Sequence, residues 1–143
     1  MQPEYSLLAP NHALPSVGAK PFLAILIADE RVPDAWRNQI AEWLIANGCL
    51  YFVAWGVDCE VWHDSVDWAN LEAHGFGDIP DDRFVMTTWH DKESLSEALW
   101  FGGNCASHPD VELKSAHILH VASKKERARV LEAFRTAQEI TDT

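Results

Sequence analysis

The chain has few cysteines, and its hydrophobic runs are short. It contains 3 cysteines, and none has CxxC spacing, so neither a disulfide framework nor a zinc ribbon is indicated. The apolar runs reach about seven residues, whereas a membrane-spanning helix needs about 20. The segment Met1–Lys20 lacks the basic stretch and apolar core of a signal peptide. We therefore expect a cytoplasmic protein with reduced thiols and no membrane partner.

Positive charge is also scarce. The chain has 11 Lys and Arg against 22 Asp and Glu, which gives a net charge of −11. A surface of this sign repels the phosphates of nucleic acids and of anionic lipids, and it attracts cationic proteins. The composition therefore predicts a basic protein partner and no nucleic acid. An acidic surface that serves only solubility is the alternative.

The motifs that bind nucleotides or activate a serine are absent. The first predicted strand is followed by DERVP, residues 29–33, in place of a glycine-rich phosphate loop. The chain also has no GxSxG, which forms the nucleophile turn of many hydrolases. These absences argue against a dinucleotide enzyme, a P-loop enzyme and a serine hydrolase, and we expect no cofactor.

Four apolar runs alternate with stretches of helical character, and each run ends in a polar or acidic residue that is able to start a helix. This alternation predicts an α/β fold with helices on both faces of a mainly parallel sheet. The expected order is β-α-β-α-β-α-β-α with a four-stranded sheet of the Rossmann or flavodoxin type. The predicted strands are Phe22–Ala28, Tyr51–Trp55, Phe84–Trp89 and Ala116–Ala122.

The length of 143 residues predicts a single domain. We assign it to residues 22–140, preceded by a proline-rich extended arm, residues 1–21. Among the four strands the expected order is 2-1-3-4, which places a switch in winding direction beside the first strand. Capping boxes predict two helix starts and are formed by Ser94 with Glu97 and by Ser123 with Glu126.

Acidic residues and a histidine follow the predicted strands. In open α/β sheets ligands bind at the carboxyl ends of the strands, so these side chains are candidates for a site. One hypothesis is a small metal-assisted hydrolase or phosphotransfer enzyme, or a small-molecule sensor. In it Asp29, Asp58 and Asp91 hold a divalent cation and His90 acts as the base. The alternative is that each carboxylate only caps or complements a helix start.

Tryptophan and acidic residues concentrate in the middle of the chain. Seven tryptophans are present in the chain. The segment between residues 58 and 97 contains eleven acidic residues but only two lysine or arginine residues. Aromatic anchors within a charged surface are typical of protein interfaces, although core packing and a solvated acidic face are alternatives. The predicted partner-binding residues are Trp55, Asp58, Glu60, Trp62, Asp64, Asp67, Asp78, Asp81, Asp82 and Trp89.

The segments CLYFVAWGVDCEVWHDSVDWANL, residues 49–71, and DDRFVMTTWHDKESLSEALWF, residues 81–101, resemble an uncharacterised family of small bacterial α/β proteins. The resemblance implies a bacterial cytosolic origin and no particular activity. In size and acidity the chain is also similar to bacterial immunity proteins, which neutralise a toxin by binding it. We therefore favour a non-enzymatic, acidic protein-binding module, of which an immunity-type inhibitor of a basic bacterial toxin or enzyme is one form.

Overall fold

A computed structural model describes residues 2–139, which form five strands, four α helices and one 3₁₀ turn. Residues Met1 and Ile140, which bound the predicted arm and domain, lie outside the described part. None of the helices within it has the length and hydropathy needed to cross a membrane. The elements are β1 Glu4–Leu8, β2 Phe22–Ala28, α1 Asp34–Ala46, β3 Cys49–Gly56, α2 Cys59–Ala73, the 3₁₀ turn Asp81–Arg83, β4 Met86–Trp89, α3 Leu95–Asn104, β5 Ser115–Val121 and α4 Arg127–Gln138.

The strands of residues 2–139 form one sheet in the order β1-β5-β2-β3-β4, with parallel pairing throughout. This confirms the α/β class and the parallel sheet. The predicted count of four strands is wrong, because Glu4–Leu8 in the predicted arm pairs with β5 from Glu4–His117 to Leu8–Val121. This strand is five residues long, and no helix follows it before β2. It therefore lacks the alternation that revealed the other strands.

The predicted strand order 2-1-3-4 is also wrong. The first predicted strand, β2, lies between β3 and β5, and Ile25 has Val53 and Ile118 as its two register neighbours. The chain winds from β2 through β3 to β4 in one direction, and α3 then carries it back so that β5 pairs with β2. The direction of winding therefore switches between β2 and β5, which opens a crevice at their carboxyl ends.

Helices cover both faces of the sheet. On one face α1 and α2 bury Ile40, Leu44 and Trp62, and on the other α3 and α4 bury Leu99 and Phe134. The strand β2 is buried along its whole length, as expected for the continuous apolar run FLAILIA between two helical layers. Each large apolar side chain removed from water in this way contributes about 1.5–3 kcal/mol. The two helical layers therefore hold the carboxyl ends of the strands in place.

The turn between β3 and α2 ties two strand ends together. Gly56 has a φ of +105°, and a Cβ atom there would lie 2.2 Å from the carbonyl oxygen of Ala28. The same oxygen accepts a hydrogen bond from the Val57 N–H at 2.8 Å. Asp58 follows in the left-handed region, and its side chain makes no capping hydrogen bond to α2. It instead pairs with the Arg31 guanidinium at 3.2 Å, so capping does not explain this aspartate.

One of the two predicted capping boxes is present. The Glu97 N–H donates to Ser94 Oγ at 3.1 Å at the start of α3, which confirms that prediction. The box at Ser123 is wrong, because α4 begins at Arg127 and Glu126 occupies its N-cap position. The Glu126 N–H donates instead to the hydroxyl of Tyr5 at 3.0 Å. A side chain from the added strand β1 therefore takes the place of the predicted serine.

Candidate functional site

Exposed apolar side chains concentrate along one side of the described structure. Seven large apolar side chains are exposed among residues 2–139, and all but Leu14 lie between residues 59 and 89. A groove of about 320 Å³ runs beside Leu71, Ile79 and Phe84. We call this region the acidic-aromatic surface and define it by Asp64, Asp67, Trp68, Leu71, Phe76, Asp78, Ile79, Asp81, Asp82 and Phe84.

An aromatic pair projects from the acidic-aromatic surface. Trp68 and Phe76 meet edge to face with ring centroids 5.1 Å apart, and their exposures are 60% and 54%. The backbone of Phe76 has a φ of +59°, a conformation that costs a residue with a bulky side chain about 1–2 kcal/mol. Exposed apolar area gives the monomer no compensating stability. Exposed patches of this kind mark interaction sites in soluble proteins.

Aspartates surround these apolar side chains. Asp64 lies one helical turn before Trp68 on α2, and Asp67 lines the groove. Asp78, Asp81 and Asp82 are exposed in the segment that leads to β4. Arg83 is the only lysine or arginine between residues 59 and 89. The surface therefore combines apolar contact area with a strongly negative rim.

The tryptophans predicted to bind a partner occupy different environments. Trp62 is 1% exposed and packs edge-on against Trp36, so its prediction as a partner-binding residue is wrong. Trp55 is half-buried and donates its indole N–H to the Glu93 carbonyl oxygen at 2.8 Å. Trp89 is exposed and packs against His63 with ring centroids 4.5 Å apart and an angle of 58° between the ring planes. Sequence reasoning missed Trp68, although helical periodicity places it on another face of α2 from Trp62.

Two of the predicted acids lie away from the aromatic pair. Asp58 and Glu60 stand at the amino end of α2, whereas Phe76 follows its carboxyl end. A helix of 15 residues is about 22 Å long. This distance places both acids outside the acidic-aromatic surface. Asp58 is in addition paired with Arg31.

A second group of side chains meets at the crevice between β2 and β5. His120 Nε2 lies 2.6 Å from an Asp29 carboxylate oxygen, and His120 Nδ1 lies 2.6 Å from the Tyr5 hydroxyl. Glu126 completes the group, because its ligand atom and those of Asp29 and His120 lie within 4.8 Å of one another. We call these four residues the strand-end cluster. Tyr5 lies near the start of β1, Asp29 directly follows β2, His120 lies near the carboxyl end of β5, and Glu126 is at the N-cap position of α4.

Burial and charge differ sharply within the strand-end cluster. His120 is 0% exposed and has a hydrogen-bond partner at each ring nitrogen. Burial raises the pKa of the Tyr5 hydroxyl, which keeps it protonated at neutral pH. The two carboxylates are partly exposed, and a hydrogen bond from Arg129 lowers the pKa of the Glu126 carboxyl. The cluster therefore joins a rigid buried histidine to two carboxylates that reach solvent.

The cation ligands predicted from the sequence do not form one group. Within the described residues, the strand-end cluster supplies the only set of three ligand side chains, and it contains Asp29 but neither Asp58 nor Asp91. His90 follows β4, two strands from β2, and neighbouring strands lie about 4.8 Å apart. Its Nε2 lies 3.0 Å from Thr88 Oγ1, and its Nδ1 faces Glu93 at 3.0 Å without hydrogen-bond geometry.

Sequence reasoning assigned His120 to packing and did not link it to Asp29. No spacing along the chain connects Tyr5, Asp29 and His120, which are up to 115 positions apart. Their proximity follows from the sheet register, in which His120 is level with Ile27 on one side and with Leu7 on the other. Only the strand order reveals this cluster.

A further cavity in the described structure lies at the opposite edge of the sheet. It measures about 620 Å³ and is lined by apolar side chains such as Leu50 and Val85, with Lys20, Arg83 and Lys114 among its charged residues. The carboxyl ends of α1 and α2 point toward this edge, and cations complement the negative end of a helix dipole. The helix dipoles therefore explain the positively charged side chains at this cavity, and we assign no binding site to it.

The three thiols differ in accessibility, and this predicts their reactivity. Burial raises the pKa of the Cys49 thiol to about 12 and also raises the pKa of Cys59, whereas Cys105 is exposed. Since the thiolate is the reactive form, we expect Ellman's reagent to modify one thiol rapidly in the native protein and all three after denaturation. Cys105→Ser should remove the rapid phase. A second rapid thiol would contradict the burial described here.

A model of the family described as domain of unknown function (DUF7684) matches residues 3–137 of the chain. No curated protein and no solved structure matches it. The match spans the whole sheet, so it includes both the acidic-aromatic surface and the strand-end cluster.

Proposed function

The chain belongs to the DUF7684 family of domains of unknown function, and we propose that it is an acidic protein-binding module whose acidic-aromatic surface takes a basic partner. One observation carries the proposal: the exposed aromatic pair of Trp68 and Phe76 stands among aspartates, with little positive charge nearby. A basic partner would cover the apolar side chains and neutralise the acidic rim in the same contact.

The aromatic side chains are the expected energetic centre of this contact. Tryptophan is enriched among interface residues whose truncation costs about 2 kcal/mol or more, and such residues lie near the centre of an interface. The groove beside Leu71 and Phe84 adjoins the acidic residue Asp67 and offers a recess for an apolar side chain of the partner. We therefore expect most of the affinity to depend on Trp68, Phe76 and Phe84.

The aspartates are expected to act mainly on the rate of association. Opposite potentials steer two proteins together, and salt weakens this steering. Asp64, Asp78, Asp81 and Asp82 stand at the rim of the surface, where charges are screened and each pair contributes little to affinity. We therefore expect binding to be fast at low salt and markedly slower at high salt.

In its narrower form the proposal is that the protein is an immunity-type inhibitor from a bacterium, and that the partner is a basic toxin or enzyme. The net charge of −11 supports this, as does the absence of nucleotide-binding and serine-nucleophile motifs. Three free thiols support a cytoplasmic location, where cysteines stay reduced. Such an inhibitor would use the acidic-aromatic surface to cover the basic substrate site of its partner.

A role at the carboxyl ends of the strands is the second candidate function. The observation that favours it is the strand-end cluster, which lies where the winding direction switches between β2 and β5. The order β4-β3-β2-β5 also supports a Rossmann-like classification, since it repeats the 3-2-1-4 order of that fold. In such folds this crevice holds the ligand, and a sensor or a metal-assisted hydrolase or phosphotransfer enzyme would use it.

The binding proposal is tested by affinity purification from the native host with three forms of the tagged full-length chain. These are the wild type, Trp68→Ser with Phe76→Ser, and Leu14→Ser, which removes an exposed apolar side chain outside the surface. We expect a basic protein to co-purify near one-to-one with the wild type and the Leu14 variant. The double variant should lose it.

Quantitative mass spectrometry of the eluates decides the outcome. A basic partner that the double variant retains as well as the wild type does would place the contact elsewhere and refute the proposal. The circular dichroism of the double variant must match that of the wild type, which we expect because both substituted side chains are exposed.

A further inference from the structure

We propose that the strand-end cluster is a Zn²⁺ site in which Asp29, His120 and Glu126 are the ligands and Tyr5 positions the histidine. The inference deepens the second candidate function and uses no residue of the acidic-aromatic surface. Its failure would therefore leave the binding proposal standing. The three ligand atoms lie within 4.8 Å of one another, which small side-chain movements would bring to bonding distance of about 2 Å from a shared ion.

Helix capping does not explain why these two carboxylates are present. Asp29 is not a helix cap, because Pro33 occupies the N-cap position of α1. Glu126 is at the N-cap position of α4, but its side chain makes no capping hydrogen bond. Both carboxylates instead face the same buried histidine from different elements. Convergence of this kind is what a metal site requires.

Tyr5 holds His120 in the orientation that a ligand needs. The hydroxyl of Tyr5 engages Nδ1 at 2.6 Å, so Nε2 is the nitrogen that faces Asp29. Metal-bound histidines usually have their second ring nitrogen hydrogen-bonded to an oxygen, and this contact fixes the ring. The hydroxyl is itself held by the Glu126 N–H at 3.0 Å. The backbone of one ligand residue therefore helps to orient another ligand.

The charges of the cluster suit a divalent cation. Asp29 and Glu126 carry two negative charges, and Arg129 offsets one of them through its contact with Glu126. One imidazole nitrogen and two carboxylate oxygens form a ligand set that suits Zn²⁺ better than Ca²⁺ or Mg²⁺, which favour oxygen alone. Zn²⁺ would take the Nε2 lone pair in place of the contact with Asp29, and the single proton of the neutral ring would then lie on Nδ1, facing the Tyr5 hydroxyl oxygen. Three protein ligands leave a coordination position for water.

The test is calorimetric titration of the metal-free, full-length protein with ZnCl₂. We expect one Zn²⁺ per chain, and affinity at least 10-fold weaker in both Asp29→Asn and Glu126→Gln. Tyr5→Phe keeps the ring and removes only the hydroxyl, so we expect about a 10-fold to 100-fold loss, as for other partners of metal-bound histidines. Arg129→Gln should tighten binding, because it removes the cation that competes for Glu126.

Two control variants distinguish this site from adventitious binding. Asp58→Asn alters another carboxylate at the same edge of the sheet, and His63→Gln alters a histidine that lies between two aspartates. Both should bind Zn²⁺ as the wild type does. The proposal is overturned by absence of saturable binding to the wild type, by unchanged affinity in the two ligand variants, or by loss of binding in His63→Gln.

Discussion

Gly56→Ala is expected to lower the free energy of unfolding by about 4 kcal/mol or more, a loss at the upper end for single substitutions. Two effects add at this position. The φ of +105° is unfavourable for any residue with a side chain, and the new Cβ would lie 2.2 Å from the Ala28 carbonyl oxygen. That oxygen belongs to buried backbone in the middle of the sheet and cannot move aside without disturbing β2. Urea denaturation of the purified variant measures the loss.

Gly75→Ala is the matched control for this substitution. Gly75 also has a positive φ, +61°, but nothing lies within 4 Å of the Cβ position. We expect a loss of about 1 kcal/mol, which is the cost of the left-handed conformation alone. Equal losses in the two variants would show that contact with Ala28 does not matter. The loss at Gly56 would then come from its backbone conformation and not from the close approach to β2.

Reversing four charges of the acidic-aromatic surface is expected to reduce partner affinity by at least 100-fold. The variant carries lysine at Asp64, Asp78, Asp81 and Asp82, so that like charges face the basic partner. Asp67 is left unchanged, because its carboxylate accepts a hydrogen bond from Thr87 Oγ1 at 2.7 Å. Surface plasmon resonance with the co-purified partner measures the effect. We expect the association rate to fall most, and its salt dependence to reverse in sign.

A control with the same change in net charge separates local from overall electrostatics. It carries lysine at four exposed acidic positions outside the surface, namely Glu42, Asp110, Glu112 and Glu132. We expect this variant to lose less than 10-fold in affinity, because screening limits exposed charges to a range of about 8–10 Å. If both variants weaken binding equally, net charge rather than the acidic-aromatic surface drives association, and the proposed interface is wrong.

The sequence by itself determined the fold class and most of the elements. The continuous apolar run FLAILIA predicted a strand covered on both faces, and β2 has the predicted bounds Phe22–Ala28. The capping box at Ser94 likewise marked the first residue of α3. These signals are local, because the period of apolar residues and the hydrogen bonds of a helix start depend on neighbours only a few positions away.

Only the tertiary structure shows which elements are adjacent, and this adjacency determines which residues form the candidate sites. The amphipathic pattern of α2 does not say that the Trp62 face is buried while Trp68 stays exposed, since each face carries a tryptophan. The cluster of Tyr5, Asp29 and His120 exists because β1 and β2 flank β5 in the sheet. Strand order depends on long-range packing and on the paths of the connections, which no local period records. The sequence therefore indicated the carboxyl edge of the sheet as the place for a candidate site, whereas the strand order determined which residues meet there.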